Sequence, residues 1–119
     1  QEKMQRVNKE TAHYPFRLNI AINYGGREEL VNACQALIKE GKTTITESDI
    51  ADRLYTVGCP DPDLIVRTGG DTRTSNFLLW QSAYAEYYFT DVLWPDFSPK
   101  DVDVAVAAFY SRNRRFGGI

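Results

Sequence analysis

Residues 68–75 contain no apolar residue and directly follow a short apolar run. The guanidinium groups of Arg67 and Arg73 are planar forks that bind phosphate oxygens in pairs. Ser75 adds a hydroxyl donor, and the Gly-Gly pair inside the segment lets backbone N–H groups approach an anion. We therefore expect this segment to bind a diphosphate.

The position of this segment supports the same interpretation. The apolar run 63–67 is typical of a strand buried on both faces of a parallel sheet, and open α/β sheets bind ligands at the carboxyl ends of such strands. We expect a helix to begin after Ser75, so that its dipole also favours an anion. The alternative is a solvated turn whose arginines pair with Asp61, Asp63 or Asp71.

Other polar residues leave alternatives open. The turn from Asn23 to Arg27 contains Gly-Gly and is either a second phosphate cradle or a tight turn between a strand and a helix. Glu86 lies in an aromatic and aliphatic stretch, where a carboxylate needs a partner, so it is either a metal ligand or the ion-pair partner of a basic residue. Cys34 is expected in the core, and Cys59 has no neighbour at the spacing of a zinc site.

Strands and helices alternate along the chain, which predicts an α/β fold with a mostly parallel sheet flanked by helices. The period-2 alternation over 16–24 predicts a strand, and the apolar spacing over 27–39 predicts a helix. The remaining expectations are surface helix 1–12, short helix 46–55, strand 63–67, a helix and then a strand within 76–89, and a last helix capped by Ser98.

Composition places the chain among globular proteins. It has 119 residues, 43% hydrophobic, with a net charge of −2. This excludes a disordered tail, a rod and a disulfide scaffold, and a pI near 5.4 argues against a general nucleic-acid binder. Two cysteines and the lack of a long apolar run favour a cytoplasmic protein. Because the first residues lie inside a predicted helix, we expect 1–119 to be the C-terminal part of a longer domain.

Three stretches together resemble the cis-prenyltransferases, with the bacterial undecaprenyl diphosphate synthases as the nearest group. The longest is 62–97, which begins Pro-Asp-Leu-Ile-Val-Arg-Thr-Gly-Gly-Asp and ends Trp-Pro-Asp-Phe. The others are Asn-Ile-Ala-Ile-Asn-Tyr-Gly-Gly-Arg at 19–27 and Arg-Arg-Phe-Gly-Gly at 114–118. The resemblance therefore covers nearly the whole chain from Leu18 onward.

The resemblance implies an enzyme that adds isopentenyl diphosphate repeatedly to an allylic diphosphate such as farnesyl diphosphate, forming cis double bonds with Mg²⁺. The product would be a long-chain polyprenyl diphosphate such as undecaprenyl diphosphate, a lipid carrier for cell-wall synthesis that partitions into the membrane. The family residues that bind isopentenyl diphosphate match Arg67, Arg73 and Ser75, and the carboxylate associated with Mg²⁺ matches Glu86. Asn23 and Arg27 match a turn that shapes the site.

Two departures from the family pattern stand out. The family usually has Glu at the position of Asp71 and often His at that of Thr72, so a metal or proton role at these two positions is not carried over. The family's first motif, Met-Asp-Gly-Asn-Gly-Arg with the catalytic Asp, is absent from these residues. We therefore expect this chain to carry only the isopentenyl diphosphate half of the site and to be inactive alone.

The resemblance also implies a homodimer, in which the tail at 115–117 reaches the active site. An aromatic-rich stretch fits either an interface or an ordinary core; its members are Trp80, Tyr84, Tyr88, Phe89 and Trp94. The alternative function is a non-catalytic partner subunit of a cis-prenyltransferase complex. A nucleotide-phosphate binder would need a Walker or dinucleotide motif, which the sequence lacks.

Overall fold

The structure is a computed structural model that describes residues 2–112. Five helical segments accompany two strands that form a small parallel sheet, which confirms the predicted α/β fold class. In chain order they are α1 (Glu2–Thr11), α2 (Gly26–Lys39), α3 (Glu47–Ala51), β1 (Leu64–Arg67), β2 (Glu86–Phe89), a 3-10 helix (Trp94–Asp96) and α4 (Pro99–Ser111).

The two described strands run parallel, as predicted. Leu64 lies opposite Glu86 and Arg67 lies opposite Phe89, so the ladder has four pairs. The ladder continues beyond the last pair, because the Thr90 N–H donates to the Arg67 carbonyl at 3.0 Å. This fixes the direction in which the chain leaves β1, and with it the position of the polar segment that follows.

A small apolar core joins α2 to α3. Four buried residues form it, and Leu30, Cys34 and Trp80 pack against them; the four are Ala33, Leu37, Ile50 and Leu54. The short helix α3 begins with a complete capping box, in which Thr46 and Asp49 exchange hydrogen bonds. The start of the predicted helix 46–55 is confirmed, although the helix ends at Ala51, and Cys34 packs against the core as predicted.

The last helix also begins as the sequence predicts. Ser98 and Asp101 form a capping box, and Pro99 occupies the first turn, where its missing N–H costs no hydrogen bond. The helix packs against β2 and buries Ala105, while Val102 stays 46% exposed. The end of α4 therefore lies beside β2.

The predicted strand over 16–24 is wrong. Residues 16–20 adopt no regular structure, and Phe16 and Leu18 are 90% and 84% exposed. A strand forms only when a neighbouring strand supplies hydrogen bonds, and neither described strand pairs with this segment. The alternating apolar face is thus present in the sequence but faces solvent, with Ile20 and Ile22 also exposed.

Two side chains tie this irregular segment to the rest of the protein. Arg17 Nη1 and Asn19 Nδ2 each lie 3.2 Å from the Cys59 sulfur. These hydrogen bonds, that of Arg17 first, lower the pKa of the Cys59 thiol because they stabilise its thiolate. Cys59 is therefore an anchor for residues 16–22.

The prediction of a helix after residue 75 is also wrong, whereas the strand predicted after it is confirmed as β2. Residues 75–84 form turns and bends, and Ser75, Asn76 and Leu78 have positive φ values of 49°, 64° and 45°. In a helix the Asn76 carbonyl would accept from four residues later along the chain. Here it accepts from the Gly26 N–H at 2.7 Å, because α2 is docked on this turn.

The glycine pair at the start of α2 permits this docking. A Cβ on Gly25 would lie 2.9 Å from Asn76 Nδ2, and one on Gly26 would lie 2.9 Å from Leu79 Cγ and 3.1 Å from the Asn76 carbonyl oxygen. Such distances are shorter than van der Waals contact, so side chains at these positions would push the helix away from the turn. Close packing explains the Gly-Gly sequence here.

Candidate diphosphate-binding site

Arg67 is the centre of a group of polar side chains at the carboxyl end of β1. Its Nη1 donates to the Arg73 carbonyl at 2.7 Å and to Ser75 Oγ at 3.0 Å. Its Nη2 donates to Asp71 Oδ2 at 2.9 Å, and Arg73 Nη2 donates to the same oxygen at 2.7 Å. We call these four residues the Arg67 cluster. The structure thus brings together the three residues that the sequence predicted to bind a diphosphate.

The charges of the Arg67 cluster leave it one positive charge in excess. Two guanidinium groups share the Asp71 carboxylate. Of the three aspartates that the sequence offered as partners for these arginines, Asp71 is therefore the one that pairs with both. Arg73 and Asp71 have side-chain exposures of 67% and 40%, and ion pairs this exposed contribute about 0–1 kcal/mol to stability. An incoming anion with several oxygens can therefore replace the Asp71 carboxylate at low cost.

The backbone of this segment corrects two expectations. Gly69 and Gly70 do have positive φ values of 88° and 80°, but their N–H groups donate to the carbonyls of Val92 and Thr90. These amides hold the segment against the chain after β2 and are not free for an anion. Ser75 lies in a left-handed turn and not at a helix N-terminus, so no helix dipole acts there.

Shallow pockets lie on both sides of Thr74. The first, of about 130 Å³, is lined by Arg67 and Arg73 together with apolar side chains that include Phe77 and Tyr87. The second, of about 250 Å³, is lined by Arg27, Thr74, Asn76 and Leu79. The cationic side chains and an apolar wall are thus adjacent, as a ligand with a charged head and a hydrocarbon tail requires.

The turn from Asn23 to Arg27 is a packing turn in this structure. Asn23 has a φ of 53°, and the N–H groups of Gly26 and Arg27 donate to the carbonyl and side-chain oxygens of Asn76 at 2.7 and 3.0 Å. These are the first donors of α2, so they are not available for a phosphate. The Arg27 side chain is exposed at the second pocket, whereas Asn23 lines neither pocket.

Glu86 is the ion-pair partner of a basic residue. Arg112 Nη1, at the end of α4, lies 2.8 Å from Glu86 Oε2 and also donates to the Tyr87 carbonyl. Glu86 pairs with Leu64 at the start of the ladder, three residues from the pair that contains Arg67, or roughly 10 Å along the strand. Its assignment as a Mg²⁺ ligand stays a prediction.

The described residues do not assemble a metal site at the Arg67 cluster. Within 2–112, no group of three or more His, Cys, Asp or Glu side chains lies close enough to hold an ion. Glu86 is committed to Arg112, and Asp71 is committed to two arginines. As they are arranged, these carboxylates are occupied by arginines and do not form a Mg²⁺ site within the described residues.

Sequence reasoning missed a buried carboxylate. Glu29 is 1% exposed and accepts hydrogen bonds from the Tyr24 hydroxyl, from Gln81 Nε2 and from the Tyr55 N–H. The signal was present, because Glu29, Ala33 and Leu37 are spaced four apart and share the buried face of α2. A carboxylate on an apolar helix face indicates a specific set of partners.

The aromatic-rich stretch divides into core and surface. Trp80 packs against the core, whereas Tyr84 and Trp94 are 70% and 75% exposed. Trp94 stacks on Phe97 with ring centroids 6.2 Å apart.

The tail at 115–117 lies outside the described residues. Among the helices of residues 2–112, none is both long and apolar enough to cross a bilayer.

Comparison with known proteins identifies the family. The Prenyltransf family model of undecaprenyl diphosphate synthases matches residues 1–117. An isoprenyl transferase of Fusobacterium nucleatum is 51% identical over 120 residues, which is 100% of this chain and 52% of that protein. One from Neisseria meningitidis serogroup B is 58% identical over 100 residues, covering 84% of this chain and 40% of that protein. This chain therefore spans about half the length of these relatives.

Solved structures agree with the sequence relatives. A probable undecaprenyl diphosphate synthase from Campylobacter jejuni superposes with a TM-score of 0.83 at 34% identity, covering 98% of this chain and 55% of that one. Lavandulyl diphosphate synthase from Lavandula x intermedia, in complex with dimethylallyl diphosphate, superposes with a TM-score of 0.77 at 40% identity, covering 82% and 45%. The chain belongs to the undecaprenyl diphosphate synthase family of isoprenyl transferases.

Proposed function

We propose that this chain carries the isopentenyl diphosphate half-site of an isoprenyl transferase that builds a long cis-polyprenyl diphosphate, such as undecaprenyl diphosphate. The observation that carries the proposal is the Arg67 cluster, where two guanidinium groups and a hydroxyl converge beside an apolar pocket. Guanidinium pairs bind diphosphate oxygens, and the pocket suits the five-carbon tail. The reaction's other substrate would be an allylic diphosphate such as farnesyl diphosphate.

The chemistry assigned to these residues is binding and orientation. In prenyl transfer, the carbon–oxygen bond of the allylic diphosphate breaks, a carbon–carbon bond forms to isopentenyl diphosphate, and a proton is lost from the latter. Arg67 and Arg73 would hold the diphosphate of the isopentenyl substrate, with Ser75 donating a further hydrogen bond. Fixing this substrate places its double bond against the allylic carbon, and such orientation accounts for a large part of a bimolecular rate enhancement.

The proposed cofactor is Mg²⁺, because the family resemblance implies it and because Glu86 matches the carboxylate that the family associates with this ion. When bound, Mg²⁺ would neutralise diphosphate charge, and it is usually held by one or two carboxylates together with substrate phosphates. Glu86 supplies an oxygen ligand of the right type, but its ion pair with Arg112 has to open first. The proposal therefore assigns substrate binding to the Arg67 cluster without a contribution from the metal.

The exposed face of residues 16–22 supports the half-site interpretation. Phe16, Leu18 and Ile22 are 90%, 84% and 75% exposed, which is costly for a contiguous apolar face in water. Relatives have about twice the length of this chain. In a protein as long as its relatives, we expect this face to contact the half that this chain does not include. A strand of that half would pair with residues 16–24 and extend the sheet.

We also propose that the protein assembles as a homodimer and acts in the cytoplasm. A homodimer would cover exposed aromatic side chains such as Tyr84 and Trp94. Catalysis would take place in the cytoplasm, with the polyprenyl product entering the membrane. The alternative is a partner subunit without catalysis, which needs no diphosphate site; the cationic side chains of the Arg67 cluster favour the enzyme.

A chimera tests the proposal. This chain replaces the matching segment of the Fusobacterium nucleatum isoprenyl transferase, and incorporation of radiolabelled isopentenyl diphosphate onto farnesyl diphosphate is measured with and without Mg²⁺. We expect a polyprenyl product with cis double bonds, because the chain is 51% identical to the segment it replaces. A folded chimera without activity would support the non-catalytic partner subunit instead.

A further inference from the structure

We propose that Glu29 is a positioning residue, which acts through Tyr24 to hold the left-handed turn at residues 75–78 and so places Ser75 for diphosphate binding. The inference deepens the proposed function, on which it depends for the nature of the ligand. The hydrogen-bonded group of Tyr24, Glu29, Tyr55 and Gln81 is called the Glu29 network below.

The Glu29 carboxylate lies where three parts of the chain meet. It projects from the first turns of α2 and accepts from the Tyr55 N–H at 2.7 Å, just after α3. Gln81 Nε2 lies 3.2 and 3.3 Å from its two oxygens and 3.0 Å from Thr56 Oγ1. Glu29 and Gln81 are 1% and 2% exposed, so these contacts form away from water and fix the relative positions of their segments.

Tyr24 connects Glu29 to the turn. Its hydroxyl donates to Glu29 Oε2 at 2.5 Å. Burial, followed by the hydrogen bond to Glu29, raises the pKa of the Tyr24 phenol, which keeps it protonated as a donor. The Tyr24 ring also packs edge-on against Phe77 at 5.7 Å.

The turn needs such support because its backbone is strained. Three residues other than glycine, Ser75, Asn76 and Leu78, have positive φ within four positions. This conformation is unfavourable for a side chain as large as leucine and persists only where surrounding contacts hold it. Asn76 is held by α2, and Phe77 packs against the Tyr24 ring, while Ser75 Oγ lies 3.0 Å from the Arg67 guanidinium.

Glu29→Gln removes the charge and one of the two acceptor oxygens at the centre of this network. Both carboxylate oxygens accept hydrogen bonds, and Gln81 Nε2 is a donor close to each of them. In either orientation, the amide nitrogen of a glutamine would face at least one existing donor. Tyr24→Phe is milder, since it keeps the ring contact with Phe77 and removes the hydroxyl bond to Glu29.

The experiment compares Glu29→Gln and Tyr24→Phe with Glu28→Gln, which makes the same charge change at the exposed neighbouring position. Calorimetric titration with inorganic diphosphate gives the Kd, and thermal unfolding gives the stability. We expect the Kd to rise about tenfold in both network variants, as for a loss of a buried charge-assisted hydrogen bond, and to stay unchanged in the control. Network variants that unfold at lower temperature but bind diphosphate like the wild type would overturn the inference.

NMR makes the test independent of the proposed function. If the wild type itself does not bind diphosphate, the proposed function fails, and the amide shifts of residues 75–78 in Tyr24→Phe decide the inference. Shifts at Ser75 well beyond those in Glu28→Gln support the link from Glu29 to the turn. Amide positions unchanged at 75–78 would show that Tyr24 does not hold it.

Discussion

Arg67→Ala in the chimera should raise the KM for isopentenyl diphosphate more than any other single change in the Arg67 cluster. The substitution removes three side-chain hydrogen bonds and one of two positive charges. Loss of a fixed donor aimed at substrate charge costs about 2 to 4 kcal/mol, which is roughly 30- to 900-fold in kcat/KM. Arg73→Ala should act in the same direction with a smaller effect, because that side chain is 67% exposed.

Arg53→Ala is the matched control for this prediction. Arg53 also forms a two-point pair with a carboxylate, at 3.0 and 2.6 Å from Glu40, but it lines neither pocket beside Thr74. Steady-state kinetics should give this variant the KM of the unmodified chimera. A KM for Arg67→Ala equal to that of Arg53→Ala would show that the Arg67 cluster does not contact the substrate.

The isolated chain should make no polyprenyl product, whereas the chimera should. Transition-state stabilisation in prenyl transfer requires both diphosphates to be held at once, and the Arg67 cluster provides for one of them.

Radiolabelled isopentenyl diphosphate incorporation measures this difference, with the isolated chain and the chimera assayed at equal concentration. Circular dichroism of the isolated chain should show its helices, so that inactivity is not the result of unfolding. Product formed by the purified chain alone would mean that residues 1–119 contain both substrate sites.

Local signals in the sequence predicted the elements whose stability is local. The helices after Thr46 and Ser98 begin where the sequence predicts, and each begins with a capping box between residues three apart. The prediction of a strand from Phe16 was wrong, because a strand forms only when a partner strand, distant in sequence, supplies its hydrogen bonds. The prediction of a helix after Ser75 was wrong, because the Asn76 carbonyl accepts a hydrogen bond from the first turn of α2 and not from within a helix.

The same distinction applies to the site. Arg67, Arg73 and Ser75 were predicted from residue type and spacing, and the structure brings them together. The role expected for the Gly69 and Gly70 N–H groups was wrong, since their acceptors, Val92 and Thr90, lie beyond β2 in the sequence. Glu29 was missed because its three partners come from separate segments, although its place on the buried face of α2 was visible in the sequence.

Calorimetric titration of isopentenyl diphosphate into this chain tests the central claim most directly, because it isolates binding from catalysis. We expect saturable binding of one ligand per chain, competition by inorganic diphosphate, and loss of the heat signal in Arg67→Ala but not in Arg53→Ala. Absence of binding by the folded chain, or equal binding by the chain and its Arg67→Ala variant, would contradict the assignment of the diphosphate site to the Arg67 cluster.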